Sequence, residues 1–179
     1  MKKSILFTVL FVFGAFISTD INAQKFSKLD KSPMDVASYP SSYKESNKIV
    51  KIAYSRPQLK GRALESLAPK GKVWRTGANE AAEIFFYQDV VFGGKKVKAG
   101  SYTLFTIPGE KEWTIILSTA KNVWGAYFYK KGQDVVRVTA SVSKAKKEIE
   151  AFSILFDENG EAFTMYLGWG KTVVSLPIK

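Results

Sequence analysis

The chain has 179 residues, of which 46% are hydrophobic, and a formal net charge of +11 at pH 7. This length suits one domain with a substantial core. The sequence contains neither cysteine nor histidine, which excludes disulfides, histidine-based triads, cysteine nucleophiles and metal or haem sites with histidine or thiolate ligands. Two possibilities remain compatible with this composition: catalysis by carboxylates, and binding of hard cations by oxygen ligands. We predict no cofactor and no metal site.

The first 23 residues have the pattern of a secretory signal peptide. Lys2 and Lys3 precede an apolar run over residues 5–17, and a small residue, Ala23, ends the segment. The apolar run spans about 13 residues, whereas a membrane-spanning helix needs about 20. We therefore expect cleavage after Ala23, no transmembrane segment afterwards, and a protein in the periplasm or outside the cell.

The expected mature chain is strongly basic. Loss of Lys2, Lys3 and Asp20 with the signal peptide leaves a net charge of +10. Outside the cytoplasm such a surface suits an anionic small molecule, a glycan or another envelope component, and nucleic acid is not an expected partner. Scattered lysines also form a solvated coat with no ligand, so charge alone does not define a function.

Residues 24–48 are polar and contain Pro33 and Pro40, which predicts an N-terminal arm able to lend a short edge strand near its start or end. A single domain is predicted over residues 49–179. Its first strand covers residues 49–55 and stops at Pro57, and a single helical turn is expected over residues 63–67.

Alternating and apolar segments then follow one another with short turns between them. Gly93-Gly94 predicts a tight hairpin, and Tyr102 is placed as a corner tyrosine whose hydroxyl bonds to nearby backbone. Residues 119–133 break the alternation as an aromatic loop, and Lys144 to Lys147 are interpreted as a basic turn. Further strands are predicted over residues 82–87, 89–92, 95–98, 101–108, 113–118, 135–142, 152–156, 163–169 and 172–178, with a hairpin at Asn159-Gly160.

These nine or ten short strands, without a long helical pattern, predict an all-β fold. We expect an antiparallel β-sandwich, for which a jelly-roll is one arrangement. The alternating strands place Trp113 and Trp169 in its core.

Arginine is rare after the signal peptide, with four residues, and three of them lie within twenty positions. Its planar guanidinium group suits carboxylate and phosphate ligands. The arginines are joined by lysine, amide, carboxylate and aromatic side chains in loops. The predicted ligand-binding residues are Arg56, Lys60, Arg62, Trp74, Arg75, Asn79, Glu80, Trp124 and Tyr127.

Three interpretations of this region stay open. It could be a non-catalytic pocket for an anionic or glycan ligand, with the aromatic rings stacking on a sugar. It could be a hydrolase site for envelope carbohydrate, in which Glu80 acts with a second carboxylate, provided that Glu80 lies in a loop. Or Glu80 and Glu83 could pair with the arginines in a purely structural network of an interaction protein.

Several motifs resemble a known family. They are Ser55-Arg56-Pro57, Lys60-Gly61-Arg62, the run from Gly71 to Ala81, the run from Ala99 to Gly109, Trp113 to Leu117, and Trp124-Gly125-Ala126-Tyr127. Over residues 49–178 the sequence is similar to the bacterial exported family known as domain of unknown function 2911. The resemblance implies export but no activity.

The signal peptide gives a direct prediction about mass. Expressed in an exporting bacterial host, the protein should begin at Gln24, as measured by intact mass spectrometry. Replacing the small residue before the cleavage site, Ala23→Arg, should block processing. A wild-type protein that keeps its full mass after export would contradict the assignment.

Overall fold

The computed structural model describes residues 24–159 and 162–179, so the predicted signal peptide lies outside the described residues. Within these described residues the chain forms nine strands, one helical turn α1 and one short 3-10 helix at Lys131–Gln133. The elements are β1 (Met34–Tyr39), β2 (Val50–Ser55), α1 (Leu64–Leu67), β3 (Ala82–Phe86), β4 (Val90–Phe92), β5 (Lys95–Val97), β6 (Gly100–Ile107), β7 (Glu112–Ser118), β8 (Asp134–Asn159) and β9 (Ala162–Ile178).

All nine strands belong to one antiparallel sheet in the order β1-β2-β3-β6-β7-β8-β9-β4-β5. The sheet is consistent with a β-sandwich, and the all-β prediction is confirmed. In the described part of the chain, no helix has the length and apolar character to cross a membrane.

The N-terminal arm contributes an edge strand. β1 pairs with β2 from Met34 opposite Ser55 to Tyr39 opposite Val50. The sequence allowed such a strand near the start or the end of residues 24–48, and the structure places it in the middle. Here side chains of the arm reach the core, because the Tyr39 ring stacks on Phe163 at 4.1 Å between ring centroids.

The predicted basic turn at Lys144 to Lys147 is wrong. β8 runs through this segment, but its pairing with β9 shifts: Lys144 opposes Thr172, whereas Ile149 opposes Gly170. β8 therefore contains extra residues, which form an irregularity and bend the strand. Its lysine side chains are exposed, so the segment lacks the apolar alternation by which a strand is recognised in sequence.

β9 is likewise one strand where two were predicted, over residues 163–169 and 172–178. Gly170, with φ of +58°, lies at the bend. The predicted hairpin at Asn159-Gly160 falls partly outside the described residues, but Asn159 opposes Ala162 across that turn.

The bend brings the second half of β8 and the first half of β9 over the other strands. Trp74 stacks on Trp169 at 5.4 Å between ring centroids and meets Phe152 and Trp113 edge to face at 5.0 and 6.1 Å. All four side chains are buried, so the prediction that Trp113 and Trp169 are core residues is confirmed. This aromatic cluster joins the two layers of the sheet.

Two tyrosine hydroxyls satisfy backbone groups. Tyr54, buried in β2, accepts a hydrogen bond from the Ile154 N–H at 2.9 Å. Tyr102 donates to the Lys98 carbonyl oxygen at 2.9 Å, as predicted for a corner tyrosine.

The Gly93-Gly94 hairpin is also confirmed. It joins β4 to β5, and both glycines have positive φ values, +54° and +85°. A Cβ atom at Gly93 would lie 2.8 Å from Leu176 and 2.9 Å from Val138, whereas at Gly94 it would meet nothing within 4 Å.

The two glycines should therefore respond differently to alanine. Gly94→Ala should lower the free energy of unfolding by about 1 kcal/mol, the cost of a left-handed alanine. Gly93→Ala should cost roughly 1–3 kcal/mol more because the methyl group overfills the core. Urea unfolding measures both, and equal losses would contradict the packing argument.

Candidate functional site

The predicted site divides into two places, and Arg56 lies in the first. Its Nε donates to the Phe152 carbonyl oxygen at 3.1 Å, its Nη1 forms an ion pair with Asp35 at 3.0 Å, and its Nη2 donates to Ser153 Oγ at 2.7 Å. All three guanidinium nitrogens therefore hold partners within the fold. Arg56 links β1 and β8 across the two layers.

Lys60 and Arg62 lie in the turn that follows β2. The Lys60 backbone N–H donates to Glu150 Oε1 at 2.7 Å. Arg62 donates to the carbonyl oxygens of Leu59 at 2.9 Å and Gln58 at 2.7 Å, so its guanidinium group closes its own turn. Arg56, Arg62 and Arg75 thus have separate hydrogen-bond partners.

Trp74 belongs to the core and cannot offer its ring to a ligand, since 5% of the residue is exposed. Its backbone pairs with Thr106 of β6, beyond the last β3–β6 pair, Ala82 and Leu104. The Ala82 N–H donates to the Arg75 carbonyl oxygen at 3.0 Å. Residues 76–81 are therefore an excursion out of an otherwise continuous line of strand pairing.

We call residues 75–81 the polar loop, and its shape is fixed by local contacts. Thr76 and Asn79 have positive φ values of +55° and +60°. The Thr76 hydroxyl is buried and bonds to that of Thr106 at 3.2 Å. At Gly77 a Cβ atom would lie 3.0 Å from the Ser55 carbonyl oxygen, so the loop passes directly over the end of β2.

Residues 119–133, the aromatic loop, pack against the polar loop. The Ala81 N–H donates to the Val123 carbonyl oxygen at 2.9 Å, and the Gly125 N–H donates to that of Asn79 at 2.9 Å. Arg75 Nη1 donates to the same Asn79 oxygen at 3.4 Å. Glu80 and Trp124 form an isolated bridge. These contacts bring four of the predicted residues together: Arg75, Asn79, Glu80 and Trp124.

The aromatic loop exposes three rings. Trp124 is 57% exposed, Tyr127 73% and Phe128 81%. Trp124 and Tyr127 were predicted as ligand-binding residues, whereas Phe128 was not singled out. The signal for Phe128 was available, because it lies in the same irregular segment and outside any alternating strand.

A cavity of about 210 Å³ opens between the polar loop and the start of the aromatic loop. Its lining includes two carboxylate side chains, and Glu83 Oε1 also accepts the Asn122 N–H at 3.3 Å. Glu80 precedes β3 and lies in the polar loop. Strand alternation therefore does not force the side chains of Glu80 and Glu83 onto opposite faces of the sheet. The lining residues are Met34, Ala53, Glu80, Ala81, Glu83, Asn122 and Val123.

Both loops rest on a small second core. Buried Ala81, Phe105 and Ile116 form its centre on the face of β6 and β7 that points away from the main core. Partly buried side chains of the aromatic loop pack against them, namely Val123, Ala126 and Tyr129, together with Val73, which precedes the polar loop, and Ile107 of β6. The central strands are thus covered on both faces, which holds the loops in place.

The sequence interpretation missed a polar cluster at the base of the aromatic loop. Tyr129 donates to Asp134 Oδ2 at 2.6 Å, and Arg137 Nη1 lies 2.8 Å from the Tyr129 hydroxyl and 2.7 Å from the same Asp134 oxygen. Burial and the Asp134 carboxylate raise the pKa of Tyr129 to about 12. Arg137, the fourth arginine, was the available signal, but its position in a regular strand concealed it.

These observations define an all-β domain that presents a rigid pair of polar and aromatic loops on one face of its sheet. A family model described as "Protein of unknown function (DUF2911)" matches residues 32–178. The chain belongs to this family, and the resemblance noted in its sequence is confirmed. No curated protein matches the chain, and no solved structure does.

The Tyr129 cluster predicts a dependence of stability on alkaline pH. The pKa of Tyr129 rises from its ordinary value of 10 to about 12 on folding. The contribution of its protonated hydroxyl to folding stability is therefore complete below pH 10 and is lost as the pH rises through 12. Tyr129→Phe removes this ionisation. The stability advantage of wild type over Tyr129→Phe, measured by urea unfolding from pH 8 to 11.5, should shrink above pH 10. A constant difference would contradict the assignment.

Proposed function

We propose that this chain is an exported, non-catalytic module that binds an acidic glycan through Trp124 and the polar loop. The observation that carries the proposal is the exposure of Trp124, the one tryptophan of four outside the buried core. Its backbone is bridged to Glu80, and the adjoining loop supplies Arg75 and Asn79. A flat ring beside hydrogen-bonding groups suits a sugar, whose C–H faces stack while its hydroxyls bond.

The acidic character of the ligand follows from Arg75. Within the described residues its guanidinium group makes one side-chain hydrogen bond, the long one to Asn79. Its other N–H donors are available for a sugar carboxylate, which a guanidinium group binds with two parallel bonds. The net charge of +10 after signal removal favours the same class of ligand.

Rigidity supports binding by the two loops. Backbone bonds join them at Ala81 and Gly125, and the second core fixes both to β6 and β7. Loops held in this way lose little conformational entropy when a ligand binds. The signal-peptide pattern at residues 1–23 supports a place in the cell envelope or outside the cell, where acidic polysaccharides occur.

A second candidate function, hydrolysis of the same glycan, is favoured by one observation. Glu80 and Glu83 line a common cavity, and glycoside hydrolysis uses two carboxyl groups on either side of the scissile bond. Release of reducing ends that disappears in Glu80→Gln would select this function over binding alone.

The buried position of the other tryptophans provides a selective assay for binding. Acrylamide should quench Trp124 far more than the three buried tryptophans, so protection from quenching reports a ligand on this ring. We expect an acidic oligosaccharide such as oligogalacturonate to protect Trp124. Trp124→Ala should weaken binding by at least about tenfold, a loss near 1.4 kcal/mol, as measured by calorimetry.

Two further variants test the polar loop and the specificity of the effect. Arg75→Ala should lose affinity for acidic oligosaccharides while its circular dichroism spectrum stays that of wild type. Tyr43→Ala removes a ring that is exposed on the N-terminal arm and should bind as wild type does. An unfolded Arg75→Ala protein, or full affinity in Trp124→Ala, would contradict the proposed site.

A further inference from the structure

We propose that the tip of the aromatic loop, formed by Tyr127, Phe128, Lys130 and Lys131, docks onto an anionic phospholipid surface. This function goes beyond glycan binding and uses other side chains than Trp124 and the polar loop. The tip would hold the domain against a membrane.

The tip exposes two neighbouring rings. Tyr127 is 73% exposed and Phe128 81%, and the Phe128 side chain has no polar atom to bond with water. Large apolar side chains next to one another on a surface mark an interaction site. Aromatic rings are also the side chains that collect at the boundary between lipid and water.

The loop is built to present these rings outward. The Tyr129 N–H bonds to the Ala126 carbonyl oxygen at 3.3 Å, so Tyr127 and Phe128 are the central residues of a turn. Both ends of this turn are anchored: Ala126 packs on the second core, and Tyr129 meets Phe105 edge to face at 5.3 Å and bonds to Asp134. The exposure of the two rings is therefore a consequence of fixed neighbours on either side.

The tip also carries positive charge. Lys130 and Lys131 follow the rings directly and are exposed, and residues 119–133 contain no acidic side chain. The next carboxylate along the chain, Asp134, is paired with Arg137 at 2.7 Å. Each lysine near an anionic membrane adds to the attraction, and the combination of exposed rings with lysines is typical of segments that lie in the membrane interface. The chemistry thus fits lipid phosphate groups better than an uncharged partner.

The test is binding to vesicles, with a chain that begins at Gln24. All nine strands and both core clusters lie after this residue, and every variant shares the same N-terminus. At 0.1 M salt, the protein should co-sediment with vesicles of phosphatidylcholine containing 30% phosphatidylglycerol at least about tenfold more strongly than with pure phosphatidylcholine. Tyr127→Ser/Phe128→Ser and Lys130→Glu/Lys131→Glu should each reduce binding to the anionic vesicles at least about tenfold.

Two matched controls separate local docking from general stickiness. Phe85→Ser/Tyr87→Ser removes another exposed pair of rings, on and just after β3. Lys95→Glu/Lys96→Glu makes the same charge change at two exposed lysines of β5. Both should bind as wild type does within about twofold. Circular dichroism checks that each variant is folded, and Phe128→Ser alone provides a milder substitution at the tip.

Three results would overturn the proposal: equal binding to both kinds of vesicle, wild-type binding by the tip variants, or an equal loss of binding in the charge control. The last result would show nonspecific attraction to the whole basic surface. Oligosaccharide protection of Trp124 in Lys130→Glu/Lys131→Glu tests the glycan site separately, so failure of one function does not imply failure of the other.

Discussion

The stack of Trp74 on Trp169 is the contact on which the rest of the structure depends. The chain has no cysteine, so its two layers are joined by packing, and this stack lies where they meet. It forms only because β8 and β9 bend without ending, which carries Phe152 and Trp169 over the earlier strands. Burial of several large rings together contributes both apolar area and favourable edge-to-face geometry. Arg56 reinforces the same junction through Asp35 and Ser153.

The site follows from a second constraint, the coverage of β6 and β7 on both faces. One face of these strands belongs to the main core. The other would expose Phe105 and Ile116 if the two loops did not lie across it. Covering these side chains fixes the backbone of both loops, and the rings that cannot fit beneath them point to solvent. The packing of Val123, Ala126 and Tyr129 beneath the loop thus leaves the neighbouring rings exposed, which are those of Trp124, Tyr127 and Phe128.

Sequence reasoning predicted the elements of this fold better than their joins. Strand alternation, the Gly93-Gly94 turn and the corner role of Tyr102 depend on local preferences, which a sequence displays directly. The continuity of β8 through Lys144 to Lys147 depends on pairing with β9, a nonlocal contact that leaves no local pattern. For the site, clustering of arginines in the sequence did not predict shared contacts, because Arg56 bonds to β1 and β8 whereas Arg62 bonds to the backbone of its own turn. The loop motif from Arg75 to Glu80 and the aromatic loop were the informative segments, since neither shows the alternation of apolar and polar residues that marks a half-buried strand.

The excursion of residues 76–81 is held along its length as well as at its ends. Thr76 is buried in a hydrogen bond to β6, Gly77 passes against the end of β2, and Ala81 belongs to the second core. A substitution at any of these positions therefore disturbs the sheet and the outer surface of the loop together. Any change of sequence in this segment has to satisfy the packing beneath it, so the loop and the strands below must vary as one unit.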